Sequence, residues 1–140
     1  MQKRPYGNTG EMLSIIGFGG IVVKDADTDE SSRLVSEAID RGINYFDVAP
    51  RYGNAQEKLG PALEPYRNDV FLACKTRERD AVNAERELHD SLKKLRTDHF
   101  DLYQMHSMTT DADVDQVLGP GGALETFVKA REQGLVRFLG

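Results

Sequence analysis

Short runs of apolar residues alternate along the chain with longer stretches in which apolar positions recur every three to four residues. Ser14–Gly19, Ile43–Ala49, Val70–Lys75, Phe100–His106 and Val136–Gly140 read as short, buried strands. Between them the spacing predicts helices. Asp27 with Glu30 is a capping pattern ahead of Leu34, Val35, Ala38 and Ile39, and Gly42 stands where a glycine commonly follows a helix. Asn54 with Glu57 opens a second helix that turns Leu59, Ala62 and Leu63 inward. Pro61 lies inside that pattern, and its missing backbone donor predicts a kink or a short first turn. Ala84, Leu88, Leu92 and Leu95 mark the clearest helix. A polar, glycine-containing loop from Ser107 to Gly122 then leads to a fourth helix carrying Leu124, Phe127, Val128 and Arg131, which stops at Gly134. At the N-terminus, Asn8-Thr9-Gly10 between short apolar patches predicts a small β-hairpin.

Strands that alternate with helices in this way must pair in parallel through right-handed crossovers. Two α/β architectures fit: an open doubly wound sheet and a (β/α) barrel. Periodicity alone does not separate them. The glycines at 17, 19 and 20 permit close backbone approach, but G-x-G-x-x-G is absent after the first strand, which argues against a dinucleotide-binding phosphate loop of the doubly wound kind.

Composition narrows the function classes. The 140 residues include 18 Lys and Arg against 23 Asp and Glu, a net charge of −5, with no basic cluster, so nucleic acid is not the expected partner. The longest apolar stretch, from Met12 to Val23, is too short for a membrane span and is interrupted by glycine. No charged-then-apolar signal segment opens the chain. Cys74 is the single cysteine, which excludes an internal disulfide or a cysteine-rich zinc site and makes a reducing cytoplasm the default compartment.

The reactive side chains are concentrated. Asp47 lies near the C-terminal end of its strand, Tyr52 five residues on, Lys75 at the end of the third strand and His106 at the end of the fourth. In a parallel sheet these positions share one edge, where βα proteins keep their sites. Each residue alone has an ordinary structural reading: a solvated Lys–Asp pair, a surface histidine, a turn tyrosine. Together they suit proton transfer to a carbonyl oxygen. A phenol is a weak acid near neutrality; a neighbouring ammonium favours its ionised form, a carboxylate can hold that ammonium, and an imidazole can orient the carbonyl. No side chain donates hydride, so a nicotinamide cofactor would supply the electron pair.

These residues also resemble a known family. Tyr6-Gly7-Asn8-Thr9-Gly10, Ile16-Gly17-Phe18-Gly19-Gly20, Gly42 to Ala49 with Tyr52-Gly53 and Glu57-Lys58-Leu59-Gly60, Lys75-Thr76, Thr97-Asp98 with Phe100 to His106, and Ala130 to Gly134 with Val136 to Gly140 are similar to successive motifs of the aldo/keto reductases. The resemblance implies a (β/α)8 TIM-barrel type fold, here truncated to about four βα units plus a fifth strand, with an N-terminal β-hairpin, residues 1–140 being the N-terminal half of the domain. It implies Tyr52 as general acid, Lys75 and Asp47 as the pair that tunes it, and His106 as the group that positions the carbonyl. Gly19, Gly20, Ile21 and Asp47 would approach the nicotinamide ribose of NADPH or NADH, and the partner would be a small aldehyde or ketone. Pro61 stands where the family commonly has a helix-compatible polar residue. In the family the loops after strands five, seven and eight hold most of the cofactor, and a complete barrel needs roughly 200 residues or more. A catalytically silent half-barrel that serves as an interaction module is therefore the alternative expectation, with self-association through its open edges.

The remaining candidates are weaker. Alternation directs Cys74 away from Lys75, into the helix-facing core; His89 reads as exposed and His99 as a loop residue. Asp111, Asp113 and Asp115 lack the glycine and glutamate of a calcium loop and read as a solvated loop or helix start. No metal site is expected. By the resemblance, Ser107 to Gly122 borders the substrate pocket.

Overall fold

A computed structural model describes all 140 residues. The chain opens with an antiparallel hairpin, β1 (Lys3–Pro5) and β2 (Met12–Ser14). Its loop closes through the Tyr6 N–H to the Glu11 carbonyl at 2.8 Å and the Thr9 N–H to the Tyr6 carbonyl at 3.2 Å. There follow β3 (Phe18–Gly19), α1 (Thr28–Asp40), β4 (Tyr45–Asp47), α2 (Ala55–Leu63), β5 (Phe71–Thr76), α3 (Ala81–Lys94), β6 (Phe100–Met105), α4 (Asp111–Leu118), α5 (Ala123–Glu132) and β7 (Val136–Leu139). Strands β3 to β7 form one parallel sheet in simple sequence order.

That order decides between the two architectures left open by periodicity. A doubly wound sheet reverses direction at a switch point and carries helices on both faces. Here the order never reverses, and α1, α2, α3 and α5 all contribute to one core on one side of the sheet, with Val35, Leu59, Leu88 and Phe127 packed against Phe46, Leu72 and Tyr103. The other face carries a small separate cluster, Phe71, Ala73 and Leu102, joined by Leu13, Tyr45 and Phe138. This is the wall of a barrel, helices outside and strands inside. The inner face is not wholly uncovered, because the hairpin lies across its lower end: Leu13 joins the inner cluster and Tyr6 meets Phe71 edge-on at 5.6 Å.

Several expectations need correction. The predicted strand at 14–19 is broken. Asn44 accepts from the Ser14 N–H at 2.8 Å and donates to the Met12 carbonyl at 2.9 Å, while the Ser14 hydroxyl turns back to the Ile16 carbonyl at 2.7 Å. The chain therefore turns after β2, and Ile15 and Ile16 remain exposed. Asn54 does not cap α2 through its side chain; its Oδ1 accepts instead from the Asp25 N–H at 2.9 Å, tying the loop after β3 to the loop after β4. Helix α2 runs through Pro61 to Leu63 and only then tightens into a 3-10 turn at Glu64–Asp69, so no short first turn forms. The segment 107–122 is not all loop. Thr110 and Asp113 form a reciprocal capping box that starts α4.

Gly60 is where α2 touches the end of α3. A Cβ there would lie 2.4 Å from the Lys94 carbonyl oxygen and 2.8 Å from the Leu95 Cα, both backbone atoms with little freedom to move. We expect Gly60→Ala to lower stability by about 1–3 kcal/mol, an overpacking cost that outweighs alanine's better helix propensity. A urea unfolding midpoint no lower than that of the unaltered chain would contradict this close approach.

Candidate active site

Four loops leave the C-terminal ends of β3 to β6, and the four reactive residues foreseen from the sequence lie on this rim. Asp47 is the last residue of β4; it pairs in register with Gly19 on one side and Ala73 on the other. Lys75 is two residues further along β5, on the same face as Ala73, and its Nζ is ion-paired with Asp47 Oδ1. Both side chains are mostly shielded, 14% and 25% exposed, so the pair is better protected from solvent than a surface salt bridge.

Tyr52 sits in the turn between β4 and α2. The turn is held by the Tyr52 N–H to the Ala49 carbonyl at 3.1 Å and the Ala55 N–H to the Tyr52 carbonyl at 3.2 Å. Its ring is half-buried against the main core, with the Lys75 ammonium 5.9 Å from the ring centroid. His106 follows β6 directly, and its N–H still bonds the Thr76 carbonyl at 2.8 Å, which continues the β5–β6 ladder. Its ring stands edge-on to Tyr52, centroids 6.1 Å apart and planes 88° apart. Three adjacent strands thus bring the amine, carboxylate, phenol and imidazole together.

The electrostatics of the site are uneven. Burial, the Lys75 ammonium and Arg77 and Arg79 hold the His106 imidazole below its usual range, against a smaller opposing pull from Asp47. The ring is therefore neutral at neutral pH, and its Nδ1 is enclosed without a hydrogen-bond partner. Tyr45, two residues before Asp47 on the inner face, is pushed up to about 12 by burial and then by the Asp47 carboxylate. Two phenols thus lie in opposite surroundings: Tyr45, on the inner face, next to an anion, and Tyr52, in the turn after β4, next to a cation.

The profile of the Aldo/keto reductase family matches residues 15–140. The chain belongs to the aldo/keto reductase family. As a member of that family it is 30% identical to the uncharacterized oxidoreductase YqkF of Bacillus subtilis and 31% identical to the L-galactose dehydrogenase of Arabidopsis thaliana, all of the chain being covered in both cases. It spans about half the length of these curated relatives, 48% of each. Among solved structures, a putative aldo-keto reductase from Pseudomonas aeruginosa superposes with a TM-score of 0.87 at 30% identity, over 99% of this chain and 57% of that one. The holo form of the aldo-keto reductase AKR11C1 from Bacillus halodurans gives 0.85 at 30% identity, over 100% and 49%. The parallel sheet of this aldo/keto reductase chain is thus the first five strands of a TIM-barrel type fold, truncated relative to these neighbours.

The residues foreseen for cofactor contact divide into two kinds. A Cβ on Gly19 would meet nothing within 4 Å, so the rim beside Asp47 is open to an approaching group, and Ile21 is 53% exposed on the turn that follows. Gly20 serves the fold instead: a Cβ there would strike the Val48 side chain at 2.9 Å and the Asp47 carbonyl oxygen at 3.0 Å. The open glycine, the exposed Ile21 and the mostly shielded Asp47 carboxylate together leave this stretch of the rim accessible. Cys74, on the opposite face from Lys75, is fully buried, and burial pushes its thiol up to about 12, so it takes no part in the site. His89 is exposed and His99 lies in the loop before β6, as expected, and no group of three or more potential metal-ligating side chains occurs. No helix is long and apolar enough to cross a membrane.

Two features escaped the sequence reading. Arg79, in the loop after β5, binds the backbone at His106 and Ser107. Gln104, in register with Lys75, has its side-chain carbonyl buried without a partner. Arg79 has no signal of its own in a sequence, but Thr110 with Asp113 would have exposed the helix it is joined to.

Proposed function

We propose that this chain carries the proton-handling part of a carbonyl reductase, which reduces a small aldehyde or ketone to the alcohol with NADPH or NADH as reductant. The observation that carries this reading is the convergence of the Asp47–Lys75 ion pair on Tyr52 and His106 at one rim of the sheet. The bound cofactor supplies hydride to the carbonyl carbon. Gly19, Gly20, Ile21 and Asp47 are the residues that would lie along its ribose, Gly20 by setting the path of the turn. Tyr52 gives its hydroxyl proton to the carbonyl oxygen. The Lys75 ammonium, fixed by Asp47, stabilises the negative charge left on the Tyr52 oxygen. His106, neutral, can lend its ring N–H to the carbonyl oxygen and orient it; an imidazolium would compete for the proton-transfer role. General acid catalysis of this kind contributes about 100- to 10,000-fold.

The test is oxidation of NADPH by the protein in the presence of a reactive aldehyde, followed by nicotinamide absorbance. Turnover that depends on both aldehyde and Tyr52 supports the reading; a folded protein of full reductase length with this N-terminal half and no turnover overturns it.

A second reading is favoured by the two sheet edges. Strands β3 and β7 each have a single strand neighbour, and Phe138 of β7 belongs to the thin inner cluster. Residues 1–140 in isolation are expected to self-associate through these edges and to act as an interaction module rather than a catalyst. Light scattering checks this: a monodisperse species at 15.6 kDa would contradict it.

A further inference from the structure

We propose that Arg79 is the positioning residue of His106: its guanidinium fixes the turn on which the imidazole stands. The kinetic consequence of this rests on the reductase reading above; the structural consequence does not. Arg79 is only 12% exposed at its side chain, although it lies in a loop. Nη2 donates to the His106 carbonyl at 2.9 Å and to the Ser107 carbonyl at 3.0 Å, and Nε donates to Asp113 Oδ1 at 2.9 Å. One planar fork therefore joins three things: the end of β6, the residue after it, and the first turn of α4.

The turn needs such a restraint. Ser107 has φ +54°, the left-handed region that residues other than glycine seldom adopt unless their surroundings impose it. His106 N–H is held by the Thr76 carbonyl, but the chain beyond leaves the ladder, and the two successive carbonyls that Arg79 gathers are what turns it. Arg79 is itself held at both ends. The Ala123 N–H bonds its carbonyl at 2.9 Å, and the Ala81 N–H bonds the Gly121 carbonyl at 2.9 Å, so its backbone is pinned to the α4–α5 connection. Asp113 is equally committed: its Oδ2 accepts from the Thr110 hydroxyl at 2.8 Å and from the Thr110 N–H at 3.1 Å. Arg79 and then Thr110 hold its carboxyl far below the usual carboxylate range, so the ion pair persists at any pH where the protein would work. A lysine, with one nitrogen, cannot meet two carbonyls and a carboxylate in these directions.

The experiment follows the His106 ring by NMR titration in the unaltered chain and in Arg79→Lys, Arg79→Gln and Asp113→Asn, with turnover measured alongside in a protein of full reductase length that carries this N-terminal half. The charged or titratable groups facing His106 are Lys75, Arg77, Asp47, Arg79 and Tyr52. In the unaltered chain the ring should titrate below 6.5. If the fork positions the ring, Arg79→Lys moves the midpoint up towards 6.5 despite keeping the charge, as the turn loosens and admits water, and the ring signal broadens; Arg79→Gln, which also removes a cation that lowers the midpoint, moves it further. Asp113→Asn keeps both carbonyl bonds and shows a smaller change in the same direction. In turnover, Arg79→Lys lowers kcat about 10- to 100-fold, the cost of a misplaced group, with KM for NADPH unchanged. An Arg79→Lys chain that titrates and turns over like the unaltered one overturns the proposal, because charge alone would then suffice. Should Arg79→Gln fail to fold, Arg79→Lys and Asp113→Asn carry the comparison. If the unaltered protein shows no turnover, the reductase reading falls, and the titration alone still decides the role of Arg79.

Discussion

Tyr52→Phe is expected to lower carbonyl turnover by about 100- to 10,000-fold, which corresponds to roughly 3–5 kcal/mol of barrier. The substitution removes one oxygen and keeps the ring that packs between the core and His106. The melting temperature should therefore hardly change, and the loss should fall on kcat, with binding of the nicotinamide cofactor retained. Lys75→Met probes the same idea from the other side. It removes the cation 5.9 Å from the Tyr52 ring and leaves Asp47 without its ion-pair partner. If Lys75→Met slows turnover while Tyr52→Phe does not, the proton comes from another group and the assigned role of Tyr52 is wrong.

The second large effect is on stability. Asp101→Ala should destabilise the fold by about 3–5 kcal/mol, the usual cost of removing one partner from a buried charged network. Asp101 is 3% exposed and holds three other parts of the chain. Its Oδ2 accepts from the Leu72 N–H at 2.8 Å and faces Arg67 Nη2 at 3.1 Å, while its Oδ1 accepts from Arg137 Nη1 at 2.7 Å. Arg137 in turn reaches Glu11 in the hairpin. Alanine would leave Arg67, 12% exposed, without its carboxylate and the Leu72 N–H without an acceptor. Against a total stability of about 5–15 kcal/mol this is a large fraction. Asp101→Asn, which keeps an acceptor for Leu72, should cost less. Chemical denaturation separates the two; equal midpoints for Asp101→Ala and the unaltered chain would show that the network contributes little.

What could be read from the sequence divides by the range of the forces involved. Helix α3 was legible because Ala84, Leu88 and Leu92 recur at helical spacing and are all buried on one face, a local pattern that packing did not override. The convergence of Asp47, Lys75 and His106 was legible because strand ends in a parallel sheet must share a rim, and alternation alone placed Cys74 on the opposite side. Helix α4 was legible only as one of two readings, a helix start or a solvated loop at Asp111 to Asp115, because Val114 and Leu118 on it are exposed, leaving little apolar periodicity, and its cap uses aspartate where glutamate is the commoner sign. The break at Ser14 depends on Asn44, thirty residues away, and the clamp of Arg79 depends on Asp113, thirty-four away. Such pairings are set by the tertiary fold, and no window of local sequence contains them.

The link between Glu11 and Arg137 spans 126 positions. On a ribosome the first two strands emerge early and can zip together at once, a microsecond event. Their latch to the barrel floor is made only after the fifth parallel strand has been synthesised, so the earliest piece of architecture is among the last to be fastened. Until then the hairpin is held only by Asn44 and by the seat of Tyr6 and Leu13 around Phe71, and a nascent chain stalled before residue 137 should be cut there by a protease more readily than the chain that carries Arg137.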